Sequence, residues 1–353
     1  MSSKIIRVRE SNFELLRILC MLGVLTCHVL QNNYPSLHLG DYSWQNILRI
    51  ELMNISVVAV NCFVMISGYF RIKQSVRSFL NLYFQLFFYC GILSLIGVAL
   101  GKYTIMGGVT KTIFPFTEGG MWFMTAYLGL FLIAPILNTA FAAFNKVQRM
   151  TTLMLLIFVD IYLGYMHQTK EITIDGYHMV HFIAIYYLGM FLSDTKVNSR
   201  VKWGWLWLCC TFLMTLLHSV KTVFFPISII YAMRYNSPML FLASFLLFQW
   251  VRTWCIKSNV INWIAVSVLS VYIVHTQPVV SDYFFGFLRN ISLDASISPL
   301  LSACIMIVSS LSLYAICILV DKLRIALVTP VVRKITFKLE NLMDRLKGDI
   351  TNE

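Results

Sequence analysis

The sequence predicts an all-α fold: a polytopic bundle of about ten transmembrane helices with both termini in the cytoplasm. Three observations predict it. Charged residues make up only 12% of the chain against 58% hydrophobic ones, about half the charged share of a soluble domain. The mean hydropathy is +0.74. Finally, apolar runs recur along the whole chain, separated by short segments that carry basic residues in alternating density.

The apolar windows fall at 13–31, 50–70, 78–100, 121–143, 150–166, 178–193, 203–220, 237–251, 260–281 and 298–320. A simple span needs about 20 residues, so 178–193 is the weakest window and 237–251 the next. The first follows Lys4, Arg7 and Arg9, as a signal peptide would, but it contains Arg17 and His28 and has no small-x-small cleavage pattern. It reads as a retained span. The domain division that follows is a transmembrane domain at 1–320 and a tail at 321–353. The tail alternates apolar and basic residues, as in VVRKITFKL at 331–339. Such a pattern suits a helix lying on the anionic inner leaflet, or a solvated cytoplasmic helix.

Loop charge orients the bundle. With the N-terminus inside, the inner segments hold 20 of the 28 basic residues and the outer ones 7, leaving Arg17 within the first span. Lys and Arg accumulate on the cytoplasmic side of membrane proteins. The net charge of +12 therefore reads as membrane orientation, and no nucleic-acid partner is expected. The nine cysteines lie mostly in apolar runs without a CxxC pair. They read as small apolar side chains, with no metal site expected.

Ionisable groups inside a membrane are costly and mark candidate functional sites. The first span carries ELLRILCMLGVLTCH at 14–28. Glu14 and Arg17 are three residues apart and can pair on one face. Eleven steps from Arg17 to His28 return to within about 20° of the same face and about 16 Å along the axis. Arg17 thus sits toward the cytoplasm and His28 toward the outer half. A snorkelling arginine and a satisfied core histidine give the same spacing. The second span ends in CFVMISGYF at 62–70, placing Ser67 and Gly68 at the depth of Arg17. Ser67 offers a hydroxyl, and Gly68 permits close approach of a backbone or a ligand. Trp122 opens the fourth span, where an interfacial anchor is the plain alternative. Tyr272 and His275 close the ninth, with His275 at the depth of His28. His38, His167, His178 and His218 read as loop or interface residues, and His181 stays open.

These residues resemble the membrane-bound acyltransferase-3 family, whose members O-acylate bacterial surface carbohydrates, usually from acyl-CoA. Four features carry the resemblance, in chain order. They are an arginine and a histidine separated by ten residues (Arg17, His28) with an acidic residue three before (Glu14); the segment 62–70; Trp122-Phe123 leading to Pro135; and Tyr272-x-x-His275. Asn61 stands where many relatives carry aspartate, and Cys62 where a phenylalanine is usual. The chain looks like the stand-alone form, without a C-terminal hydrolase-like domain.

The resemblance implies His28 as the acid/base residue, with Arg17 and Glu14 positioning the acyl donor. Ser67, Gly68, Trp122, Tyr272 and His275 are the expected substrate contacts. It implies acetyl-CoA, or another acyl-CoA, as donor substrate with no bound cofactor, a glycan acceptor, and the bacterial cytoplasmic membrane as location. The rival expectations are a secondary transporter or lipid-linked sugar flippase, which also needs polar groups at membrane depth, and a non-catalytic partner in polysaccharide assembly.

Overall fold

The computed structural model describes residues 10–34, 43–167, 175–224, 234–294 and 296–350, and no strand occurs among them. Lys4, Arg7, Arg9, His38 and Lys170 lie outside the described residues, as do the side chains of Lys221, Arg345 and Lys347.

Each apolar window is a helix or a broken helix. The first is α1 (Ser11–Asn33), followed by α2 (Trp44–Val57) and α3 (Ala59–Phe70), which break only at Val58. Next come α4 (Val76–Ala99), the short α5 (Ile105–Ile113), α6 (Trp122–Ala143) and α7 (Lys146–Val159). The last of these passes into a π-helical segment at Asp160–Met166. Then follow α8 (Met179–Ser193), α9 (Trp203–Phe224), α10 (Pro238–Arg252), α11 (Asn259–Ala265), α12 (Val268–His275), α13 (Pro278–Leu293) and α14 (Pro299–Ile350). Six elements are long and apolar enough to cross a membrane by themselves: α1, α2–α3, α4, α6, α7 with its π segment, and α14. Helices α8, α9 and α10 are shorter apolar elements. The exterior is itself apolar: Leu95, Ile136, Leu155, Leu300 and Leu323 are exposed, as suits a surface that faces lipid. The chain is an all-α, multi-pass membrane bundle.

The weakest window in sequence is among the most enclosed helices in the fold. Along α8, Phe182, Ala184, Ile185, Tyr186 and Met190 are fully buried. It crosses α3 at backbone contact: a Cβ on Gly68 would stand 2.0 Å from the Tyr186 carbonyl oxygen, and one on Gly189 would stand 2.2 Å from that of Met65. Two small residues facing each other allow this approach. A helix surrounded by protein has no need to match the bilayer thickness alone, which is why its apolar run is short.

Two features of the last third position the site. The chain turns by 83° between α11–α12 and α13. The cause is local: Pro278 at the start of α13 has no N–H and holds Gln277 extended, so α12 must end at His275. The ninth window (260–281) therefore contains the turn, and α13 is an additional helix that the window pattern does not show. The boundary at 320/321 falls inside α14. Asp321 is fully buried, accepting from the Tyr89 hydroxyl at 2.9 Å and the Arg324 Nε at 2.6 Å, so the first turn of the expected tail packs into the bundle.

Candidate active site

On α1, Glu14, Arg17, Met21, Val24 and His28 follow one another at three- and four-residue steps and line one cavity of about 380 Å³. That spacing is one helix face. The cavity thus has a charged end, an apolar middle and an imidazole end, ordered by α1 alone. Its other walls are supplied by Phe63 and Ser67 of α3, Trp122, Phe123 and Tyr127 of α6, and Tyr272 of α12. At the charged end, Arg17 donates to the Glu14 carboxylate at 2.8 Å, with the arginine 30% and the glutamate 10% exposed. The carboxylate orients a guanidinium that still has free donors. Ser67 donates to the Phe63 carbonyl at 3.0 Å and lies 3.3 Å from the Tyr127 hydroxyl. Phe123 stacks on Tyr127 and meets Tyr272 edge-on at 5.9 Å, forming the apolar middle.

His28 Nδ1 is 2.8 Å from His275 Nε2, and His275 Nδ1 is 2.5 Å from the Val271 carbonyl oxygen. These contacts assign the tautomers of the neutral pair. A carbonyl only accepts, so His275 carries its proton on Nδ1 and presents a lone pair at Nε2. His28 must then donate from Nδ1, which leaves the lone pair of His28 on Nε2. A helix-fixed carbonyl thereby sets, through two rings, which nitrogen of His28 keeps its lone pair.

His28 also borders a second cavity, of about 420 Å³, on the far side from Arg17. Its lining includes Asn32, His275, Thr276, Asp282 and Arg289. Lys102, in the loop after α4, binds Asp282 at 2.5 Å, and this hydrogen bond holds its ammonium above the ordinary lysine value. The His28–His275 pair therefore stands between a mostly apolar cavity with one charged end and a polar cavity opening at the C-terminal end of α1.

Of the residues expected from sequence, Glu14, Arg17, His28, Ser67, Trp122 and Tyr272 line the first cavity together. His275 lines the second, behind His28. Gly68 lines neither; it packs on the backbone of α8. Trp122 is part of an aromatic cluster, 4.5 Å from Tyr177 and 5.5 Å from Tyr235 between ring centres.

His181 is fully buried, with Nδ1 2.6 Å from Asp160 Oδ2 and Nε2 2.9 Å from Asn61 Oδ1. Asn61 in turn donates to the carbonyl of Tyr235, a residue of the cavity wall. Asp160, Tyr127, Tyr235 and the polar face of α13 are structural partners that sequence reasoning missed. His218, expected as an interface residue after the seventh span, is buried within α9.

Comparisons with known proteins bear on this geometry in one way. The comparison with curated proteins and that with solved structures each return no match. A family model described as an acyltransferase domain, in contrast, matches residues 10–319. That stretch runs from the cap of α1 to just short of Asp321, so it takes in both cavities and every element that walls them. The chain belongs to the acyltransferase-3 family of membrane acyltransferases.

Proposed function

We propose that this protein O-acylates a cell-surface or exported polysaccharide at the bacterial cytoplasmic membrane, with acetyl-CoA as donor. His28 is the acid/base residue, and Arg17, oriented by Glu14, positions the donor. The observation that carries the reading is the position of His28, which borders both cavities and has a tautomer that leaves Nε2 free to accept a proton.

The chemistry follows from that position. The acyl-CoA enters the first cavity from the cytoplasm, an anionic group of the coenzyme on Arg17 and the thioester near His28. The acceptor reaches His28 from the opposite side. Its hydroxyl oxygen attacks the thioester carbonyl carbon while His28 Nε2 takes the hydroxyl proton. His275 Nε2, accepting from His28 Nδ1–H, supports the imidazolium so formed. The adduct then collapses with cleavage of the C–S bond, and the departing thiolate sulfur takes the proton from His28. The products are the glycan ester and free CoA thiol, with the imidazole restored.

Support for this polarity comes from loop charge: the Arg17 end of α1 adjoins the segments rich in lysine and arginine. On this reading there are ten spans, both termini are cytoplasmic, and the basic part of α14 beyond Asp321 lies against anionic lipid of the inner leaflet. The test is acetyl transfer by the purified protein. Wild type consumes acetyl-CoA in the presence of acceptor, and His28→Ala does not. Normal transfer by His28→Ala would overturn the mechanism, and solute flux in proteoliposomes lacking acyl-CoA would favour a transporter.

A further inference from the structure

The second cavity has a chemistry of its own, and its reading rests on the acyl-transfer assignment above. One face of α13 looks into it: Ser281, Phe285 and Arg289 recur at four-residue steps, with Asp282 and Gly286 beside them. Asn32, on the last turn of α1, faces them. Among these groups are carbonyl and carboxylate acceptors, guanidinium donors and one aromatic ring. A sugar ring presents the complement, with hydroxyls around its edge and an apolar face.

The charges narrow the class. Asp282 is already neutralised by Lys102 at 2.5 Å. Arg289 is held differently. Its Nε and Nη2 both donate to the Asn32 carbonyl oxygen, at 3.2 and 2.8 Å, and no carboxylate among the described residues pairs with it. A guanidinium pinned by a backbone carbonyl keeps its full charge and retains a donor for a ligand. The wall therefore carries one uncompensated positive charge, some three turns of α13 from the bend that places His275. Beside it, a Cβ on Gly286 would meet no atom within 4 Å, so that part of the wall is open space.

We propose that the second cavity is the acceptor subsite and that it selects an anionic glycan. Arg289 binds a carboxylate or phosphate on the sugar, Phe285 carries the apolar face of the ring, and a hydroxyl of the same unit reaches His28. Carboxylate and phosphate share this chemistry, and the arms of the test separate them.

The test uses the full-length protein in detergent, titrated calorimetrically with trigalacturonate, with glucose 6-phosphate and with neutral galactotriose. Wild type is expected to bind at least one charged probe tenfold or more tightly than galactotriose, and the tighter one identifies the anionic group. Arg289→Gln should remove that preference. Gly286→Trp, which fills open space, should weaken every probe at least tenfold. Acetyl-CoA binding should stay within twofold of wild type in both variants, which reports that they fold. Equal binding of charged and neutral probes by wild type, or undiminished binding by Gly286→Trp, overturns the proposal. Absence of binding to all three probes overturns it too. A protein that binds trigalacturonate yet neither binds nor turns over acetyl-CoA instead removes the acyl-transfer reading and leaves the anion subsite standing.

Discussion

His28 and His275, 247 residues apart in sequence, meet at 2.8 Å, Nδ1 to Nε2. The contact keeps the His28 lone pair on Nε2 only while His275 presents its own at Nε2. Removing His28 should lower kcat by about 10²–10⁴-fold, the range for loss of a general base. His275→Ala leaves the imidazole but frees its tautomer and orientation, so a smaller fall of about tenfold to a hundredfold in kcat with little change in KM is expected. Because both act through one nitrogen, the double variant should be no slower than His28→Ala. Steady-state kinetics on the four proteins checks this, and strictly multiplicative losses would mean that the two rings act independently.

At the opposite end of the same helix face, the Arg17–Glu14 pair predicts a different kinetic signature. Arg17 lies about 16 Å from His28 along α1, too far to touch the thioester that the proposed mechanism puts at His28. Arg17→Ala should therefore raise KM for acetyl-CoA by at least about tenfold while kcat at saturation falls less. Arg17→Lys should recover part of the affinity, because the charge is kept and the fork of donors is lost. A fall in kcat with unchanged KM would place Arg17 in the chemical step.

Gly68 provides a prediction about the fold. Its absent side chain makes room for the Tyr186 carbonyl, and even a methyl group would stand 2.0 Å from that oxygen. Gly68→Ala must push α3 and α8 apart, at a cost of about 1–3 kcal/mol. Gly286→Ala meets nothing and should be neutral. Thermal unfolding in detergent, followed by fluorescence, distinguishes the two. If Gly68→Ala melted with wild type, the close crossing of α3 and α8 would be wrong.

These cases show what could be read in advance. The Arg17–His28 stripe was legible because it lies within one helix, where spacing alone fixes the face. Ser67, Trp122 and Tyr272 were legible through short motifs. Gly68 was half legible: a glycine beside a serine signals close approach, but sequence does not say to what, and the partner is a backbone rather than a ligand. The face of α13 was hidden because SDYFFGFLRN at 281–290 mixes polar and aromatic residues without the long apolar run of a span. The Asp160–His181–Asn61 chain was hidden for another reason. Its members are 21 and 120 residues apart, and no local periodicity links them.

That chain carries the last prediction. Asn61 donates through its amide nitrogen to the Tyr235 carbonyl, so its oxygen is left to accept from His181 Nε2–H. His181 Nδ1 then faces Asp160 at 2.6 Å, both side chains essentially without solvent. Asp160 begins the π-helical segment, a distortion that often marks functional positions. Removing either partner strands the other in a dry interior, and breaking a buried pair costs about 3–5 kcal/mol. Asp160→Ala and His181→Ala should each destabilise to that extent, and the double variant by less than their sum. The chain ends on Tyr235, in the wall of the first cavity, so surviving protein should also show a raised KM for acetyl-CoA with kcat largely kept. Additive stability losses together with unchanged KM would show that the chain neither acts as a unit nor reaches the cavity.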